Sequence, residues 1–148
     1  MATLNYTTTI KAEKTAAEIQ VKLAEAKAQA VLCEYDSDGV LCAMSFRVRT
    51  AHGMVSFRMP ANTAGVLRAL NKDPRVPKRL KTPEQAANVT WRVLKDWIEA
   101  QLAIVEAEMA ELTEVFLPYA QGQGGQTVYE AMQAHGFKAL THEQEGQT

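Results

Sequence analysis

Arg47, Arg49 and Arg58 are the residues whose types and spacing most need a chemical explanation. They fall at alternate positions in two runs rich in β-formers, so period-two geometry puts all three on one face of a sheet. Ser45 and Ser56 share that face and add hydroxyl donors. A two-residue turn at His52-Gly53 would pair Val48 with Phe57 and Phe46 with Met59, and would set Arg47 directly opposite Arg58. Like charges so placed destabilise a sheet. A bound anion would offset that repulsion, because guanidinium forks match phosphate bidentately. In this reading Lys78 and Arg79 of a basic connector, and Arg92 and Lys95 beyond it, extend the same positive surface. Trp91 and Trp97 are candidate stacking groups for a base, although their spacing also suits a helix core. The competing reading pairs the arginines with acids of the C-terminal helix, within or between subunits. The residues favour neither.

Other chemistry-bearing groups fit a bland role better. Cys33 and Cys42 are expected opposite each other across a hairpin, as reduced core thiols on its apolar face. No further Cys or His stands at a spacing that would complete a metal site. His52, His135 and His142 are scattered, and Glu106, Glu108, Glu111 and Glu114 read as a solvated helix face. The loop Gly122-Gln123-Gly124-Gly125 lacks the Lys-Ser/Thr of a phosphate loop and the strand-to-helix setting of a dinucleotide fingerprint. No nucleophile has a local base. The expectation is a non-catalytic protein without metal or cofactor.

Charge is segregated along the chain. The net charge of −1 is the sum of −2 over residues 1–44, +9 over 45–95 and −8 over 96–148. Such asymmetry implies an anionic partner for the middle, or pairing between middle and end. With 148 residues the chain can bury a real core. No run approaches a membrane span, and the polar start MATLNYTTTI does not read as a signal peptide. A cytoplasmic setting, with no membrane partner, follows as the expectation.

The elements that must position these groups read as an α+β domain over 1–137, with a sheet and one helix in 4–60. Leu4 to Ile10 alternates like a strand. Thr15 to Glu18 reads as a capping box for a helix running to about Gln29. Strands follow at Ala30 to Tyr35, Val40 to Thr50 and Met54 to Met59. Their parity places Val31, Cys33, Tyr35, Val40, Cys42, Met44, Phe46, Val48, Phe57 and Met59 on one apolar face. Asn62 caps a short helix over 62–71, and residues 74–81, with four basic residues, form an extended connector.

Thr82-Pro83 then opens the longest periodic stretch, a helix over 83–117. Its apolar row is Ala87, Trp91, Leu94, Ile98, Leu102, Val105, Met109, Leu112 and Phe116, with a second row at Val93, Trp97, Ala100 and Ile104. A helix that long would measure about 50 Å, far beyond a domain radius of gyration of about 15 Å. It carries acids at its C-terminal end, where the dipole disfavours them. A helix of that length must bend, or project and find a second subunit; with the reversed charges the reading favours a homo-oligomer held through this helix. A capping box at Thr127 and Glu130 starts a last helix over 127–135, and 138–148 is a polar tail.

The blocks FRMPAN (57–62), WRVLKDWIEAQ (91–101) and VFLPY (115–119) resemble those of small proteins encoded by bacteriophages and prophages. The resemblance implies a viral origin and a host-cell cytoplasm, and brings no catalytic motif. The expected order β-α-β-β-β-α is also similar to the core of single-strand annealing proteins. Together these readings imply a binding protein that holds single-stranded nucleic acid or a small nucleotide on its basic sheet face. The alternative is an oligomeric interaction module that inhibits a host defence protein.

Overall fold

A computed structural model describes residues 3–142. The architecture is α+β: a three-stranded antiparallel sheet with helices packed on one face. Helix α1 (Ala12–Glu25) leads into strands β1 (Ala30–Tyr35), β2 (Leu41–Thr50) and β3 (Gly53–Arg58), paired in that order. Helix α2 (Thr63–Lys72) and a 3-10 turn at Lys78–Leu80 precede the long helix α3 (Pro83–Glu106). Short helices α4 (Leu112–Val115) and α5 (Val128–Ala134) follow. No helix among the described residues is long and apolar enough to cross a membrane.

The main core lies between the inner sheet face and helices α1 and α3. Ile19 and Leu23 of α1 meet Met44, Phe46, Val48 and Phe57 of the sheet and Trp91, Leu94 and Ile98 of α3, all nearly without exposure. A second, smaller cluster joins Leu70, Val76 and Ala86, and it fixes the connector against α2 and α3. Because Val76 is buried, the connector turns through a 3-10 helix rather than running extended as expected.

Residues 4–10 form turns, not the expected strand. Gln85 explains how they are held: its Nε2 donates to the carbonyls of Tyr6 and Thr8 at 2.9 and 3.0 Å. The segment therefore lies on α3 and never reaches a sheet edge, so the observed order is α-β-β-β-α. Thr82 does cap α3, accepting from the Gln85 N–H at 3.1 Å. The Gln85 side chain is diverted to the N-terminal segment and leaves the other half of that capping box unmade.

The first helix begins three residues before the expected cap. Thr15 is fully buried inside α1, and Glu18 faces α3 instead of capping. The helix stops at Glu25 because Lys27, at φ 75, takes the left-handed conformation. Its N–H reaches the Ala24 carbonyl while that of Ala28 reaches Leu23, closing the helix end.

The same device ends α3 earlier than its periodicity suggests. Glu108, at φ 60, donates to Val105, and Met109 donates to Ile104. The helix is thus 24 residues, about 36 Å, and the length argument for an oligomer falls. What favours the break is Phe116, 1 % exposed after the chain folds back. Its ring packs edge-on to Phe46 at 5.4 Å and to Trp97 at 5.4 Å. Burying a phenylalanine contributes about 1.5–3 kcal/mol, against about 1–2 kcal/mol for one left-handed residue. The break also moves Glu111 and Glu114 to the start of α4, where the Glu114 carboxylate accepts from the Glu111 N–H at 3.2 Å.

The C-terminal segment covers the end of the β3 edge. Ala120 bridges Phe57, the Gln121 N–H donates to the Ser56 carbonyl at 2.8 Å, and Thr127 with Glu130 makes the expected capping box of α5. Residues 135–140 continue in turns, and 143–148 of the expected tail lie outside the described residues.

Candidate anion-binding face

The hairpin decides how the arginines meet. Its turn is Ala51-His52, one residue earlier than expected, because Thr50 and Gly53 form the closing pair. The Thr50 hydroxyl donates to the Gly53 carbonyl at 2.8 Å and accepts from the His52 N–H at 3.1 Å. Gly53 sits at φ 119, a conformation L residues rarely adopt. The register therefore slides by two residues relative to the sequence reading. Phe46 pairs with Phe57, Val48 with Val55, Arg47 with Ser56 and Arg58 with Ser45.

A two-residue slide preserves parity, so Arg47, Arg49 and Arg58 still share the outer face. Arg47 and Arg58 are not opposite each other, however, and the expected head-on repulsion is absent. Arg58 reaches instead to Glu34 on β1, with a 2.8 Å contact between guanidinium and carboxylate. The Thr127 backbone N–H and hydroxyl hold the Glu130 carboxyl below its usual range against burial, and the Arg58 charge adds a smaller contribution. The counter-charge of Arg58 is thus internal. Alternation alone placed Glu34 on this face, and that signal was available in the sequence.

Arg47 and Arg49 are exposed and have no ion pair among the described residues. Ser45 and Ser56 are half-buried between them and Arg58, with Leu32 and Met54 exposed on the same face. No carboxylate lies directly opposite either arginine in the sheet: Arg47 is flanked by Ala30 and Ser56, and Arg49 by Met54.

The other basic residues do not join this surface. Arg92 and Lys95 project between α3 and α1, with side chains only 18 % and 16 % exposed, and both meet Glu18 at 3.0 and 3.6 Å. Lys95 also contacts Glu99. Burial opposes ionisation of Glu18, but hydrogen bonds and charge from Arg92, then Lys95, outweigh it and hold the carboxyl below its ordinary range. These two cations are structural. Lys78 and Arg79 are exposed on the 3-10 turn, which belongs to the cluster of α2 and α3 and not to the sheet. Arg79 lines a polar cleft of about 420 Å³ with Thr7, Thr9, Lys11 and Gln85.

Neither tryptophan is placed to stack on a ligand at the sheet face. Trp91 is fully buried, and its indole N–H donates to the Leu41 carbonyl at 3.3 Å. Trp97 packs edge-on against Phe116 and Tyr119, at 5.4 and 5.3 Å. Both belong to the core side.

The cysteines are not opposed either. Cys33 pairs with Met44, while Cys42 is the extra residue of a bulge that lets both Leu41 and Met44 face the core. Cys42 is exposed, its thiol donating to the Glu34 carbonyl at 3.4 Å. Among the described residues no three His, Cys, Asp or Glu side chains come together. No family model, no curated protein and no solved structure matches the chain.

Proposed function

We propose that this is a non-catalytic binding protein whose open sheet face takes an anionic, phosphate-bearing partner, single-stranded nucleic acid or a nucleotide. The observation that carries the reading is the pair Arg47 and Arg49. They stand two residues apart on one strand, exposed, with hydroxyl-bearing neighbours and no acid across from them. Backbone phosphates repeat along a strand and suit a row of guanidinium groups more than a single one. Arg58 contributes less than its sequence position implied, since Glu34 already holds it.

Calorimetric titration with a short oligonucleotide and with nucleotides at low salt tests the reading. Arg47→Ala and Arg49→Ala should each weaken binding by about 1.5–3 kcal/mol, the range for hydrogen bonds to charged groups, and affinity should fall steeply with added salt. No heat from any such ligand with the wild type would remove the proposal.

A second reading, a module that binds an acidic protein surface such as a host factor, is favoured by Leu32 and Met54. These side chains are 59 % and 39 % exposed and flank the arginines. Exposed apolar groups interleaved with arginine are typical of the centre of a protein interface. Binding of that kind would resist salt and be lost in Leu32→Asp.

A further inference from the structure

We propose that β1 is the docking edge for a second copy of this chain, pairing antiparallel with the other copy's β1 to make one continuous six-stranded sheet. The two edges of the sheet are treated differently. The β3 edge is covered at its C-terminal end by the bridge from Phe57 to Ala120 and by the Gln121 N–H on Ser56. The β1 edge has no strand beyond it among the described residues. Its sequence, AVLCEY, has no Pro or Lys to discourage pairing, and such edges are ready templates for another strand. The one charge on it, Glu34, is already matched by Arg58.

Beside that edge runs a shallow, mostly apolar groove of about 510 Å³ between β1 and α1, lined by Val21, Val31 and four alanines, with Gln20 and Gln29 also in its wall. Val21 is 57 % exposed there, a β-branched aliphatic with nothing over it. The small alanines around it allow a second helix to approach closely.

Charge decides which occupant fits. Lys27 precedes the strand, and Asp36 and Asp38 follow it; neither Lys27 nor Asp38 has an ion pair among the described residues. Antiparallel self-pairing brings Lys27 of each copy to the Asp36-Asp38 turn of the other. A parallel arrangement would set Lys27 against Lys27. A two-fold axis near Leu32 or Cys33 keeps Ala30, Leu32 and Glu34 of both copies on one face, so both α1 helices lie on the other and Val21 meets its counterpart's groove. The surface is thus self-complementary, as an isologous interface requires.

Light scattering and sedimentation of the full chain at micromolar concentration test this. The wild type should have twice the monomer mass. Val21→Glu should be monomeric, because an unpaired charge would be buried at the groove. Lys27→Asp should raise the dimer dissociation constant by on the order of tenfold, since the two-fold removes the pair twice. The double change Lys27→Asp with Asp38→Lys should restore the dimer. All three sites are exposed in the single chain, and circular dichroism should show an unchanged fold. A monomeric wild type would overturn the proposal and leave the edge to a strand from another protein. A dimer that survives Val21→Glu would overturn it too, placing the contact elsewhere, for instance at Ile104 in the last turn of α3 and Met109 just after it. Failure of the double change to recover the dimer would overturn the antiparallel arrangement.

Discussion

The two faces of the sheet carry the same strands but use opposite chemistry. On the inner face Phe46 and Phe57 stack at 5.1 Å beneath Phe116, and no polar side chain interrupts them. On the outer face Ser45, Arg47, Arg49, Ser56 and Arg58 face solvent or one another. Cations from the same basic stretch of sequence divide along this line. Arg92 and Lys95, on the helical side, are mostly buried and share Glu18, while Arg47 and Arg49 are exposed and unshared. A run of positive charge is therefore not one surface. Where a cation is buried its counter-charge is built in, because an unpaired buried charge is too costly. Where it is exposed the fold imposes no such requirement, and the charge is free for a partner.

The largest effect separating the two faces is expected at Phe116. Phe116→Ala should cost about 3–5 kcal/mol, the range for emptying a buried aromatic site, measured by chemical denaturation. It should also loosen the segment after α3, since that segment folds back to bury this ring. A loss below about 0.5 kcal/mol, of the size seen at surface sites, would mean the aromatic cluster does not hold the turn at Glu108.

The second effect concerns the buried cations. Glu18→Gln leaves Arg92 and Lys95 facing each other without their shared carboxylate, and should destabilise the fold. Its sign with pH follows from the lowered folded-state values of Glu18 and of Asp73, the latter held down first by the Arg75 backbone N–H and opposed by burial. A depressed carboxyl stabilises the fold fully above its unfolded value, about pH 4, and that contribution is lost as pH falls through the folded value. Acid unfolding followed by circular dichroism should be flatter below about pH 4 in Glu18→Gln than in the wild type. An identical acid limb would show that the contacts between α1 and α3 contribute nothing through charge.

How far the sequence reached follows the same division. Period-two alternation put Phe46, Val48 and Phe57 inside and the arginines outside, and it survived a turn placed one residue too late because the resulting slide was even. It failed at Cys42, where a bulge changes parity and brings Leu41 into the core in place of the cysteine. The strand expected at residues 4–10 failed for a related reason: alternation describes a strand but does not supply the neighbour to pair with. The end of α3 was hidden because its left-handed residue is Glu108 and not glycine. The partner of Arg92 was hidden because Thr15 and Glu18 imitate a capping box. Each miss is a place where a contact distant in sequence overrode a local pattern.

Glu108 offers the third and smaller effect. Glu108→Gly removes the left-handed penalty, about 1–2 kcal/mol in the most favourable case, and takes an acid from a helix C-terminus. Gly loses more entropy on folding, about 0.5–1 kcal/mol, so the net should be a gain of roughly 0.5–1 kcal/mol, the size found at compatible sites. The same change in mid-helix would be destabilising by about 1 kcal/mol. The sign of the shift in the denaturation midpoint therefore distinguishes a helix that ends at Glu106 from one that continues to Phe116.

The smallest effect is expected on the outer face, and its smallness is what the division between the faces requires. Arg47→Ala removes an exposed side chain with no ion pair among the described residues, opposite Ala30 and Ser56. Stability should change by no more than about 0.5 kcal/mol in either direction, as for surface sites away from special contacts. Arg58→Ala should do slightly more harm, because Glu34 then loses its partner on the strand, yet pairs this exposed contribute only about 0–1 kcal/mol. The two variants thus set an internal scale. If Arg47→Ala weakens ligand binding while leaving the denaturation midpoint in place, the arginine acts on a partner and not on the fold. If it lowers stability as much as Glu18→Gln does, Arg47 has an internal counter-charge after all, and the outer face is structural like the inner one.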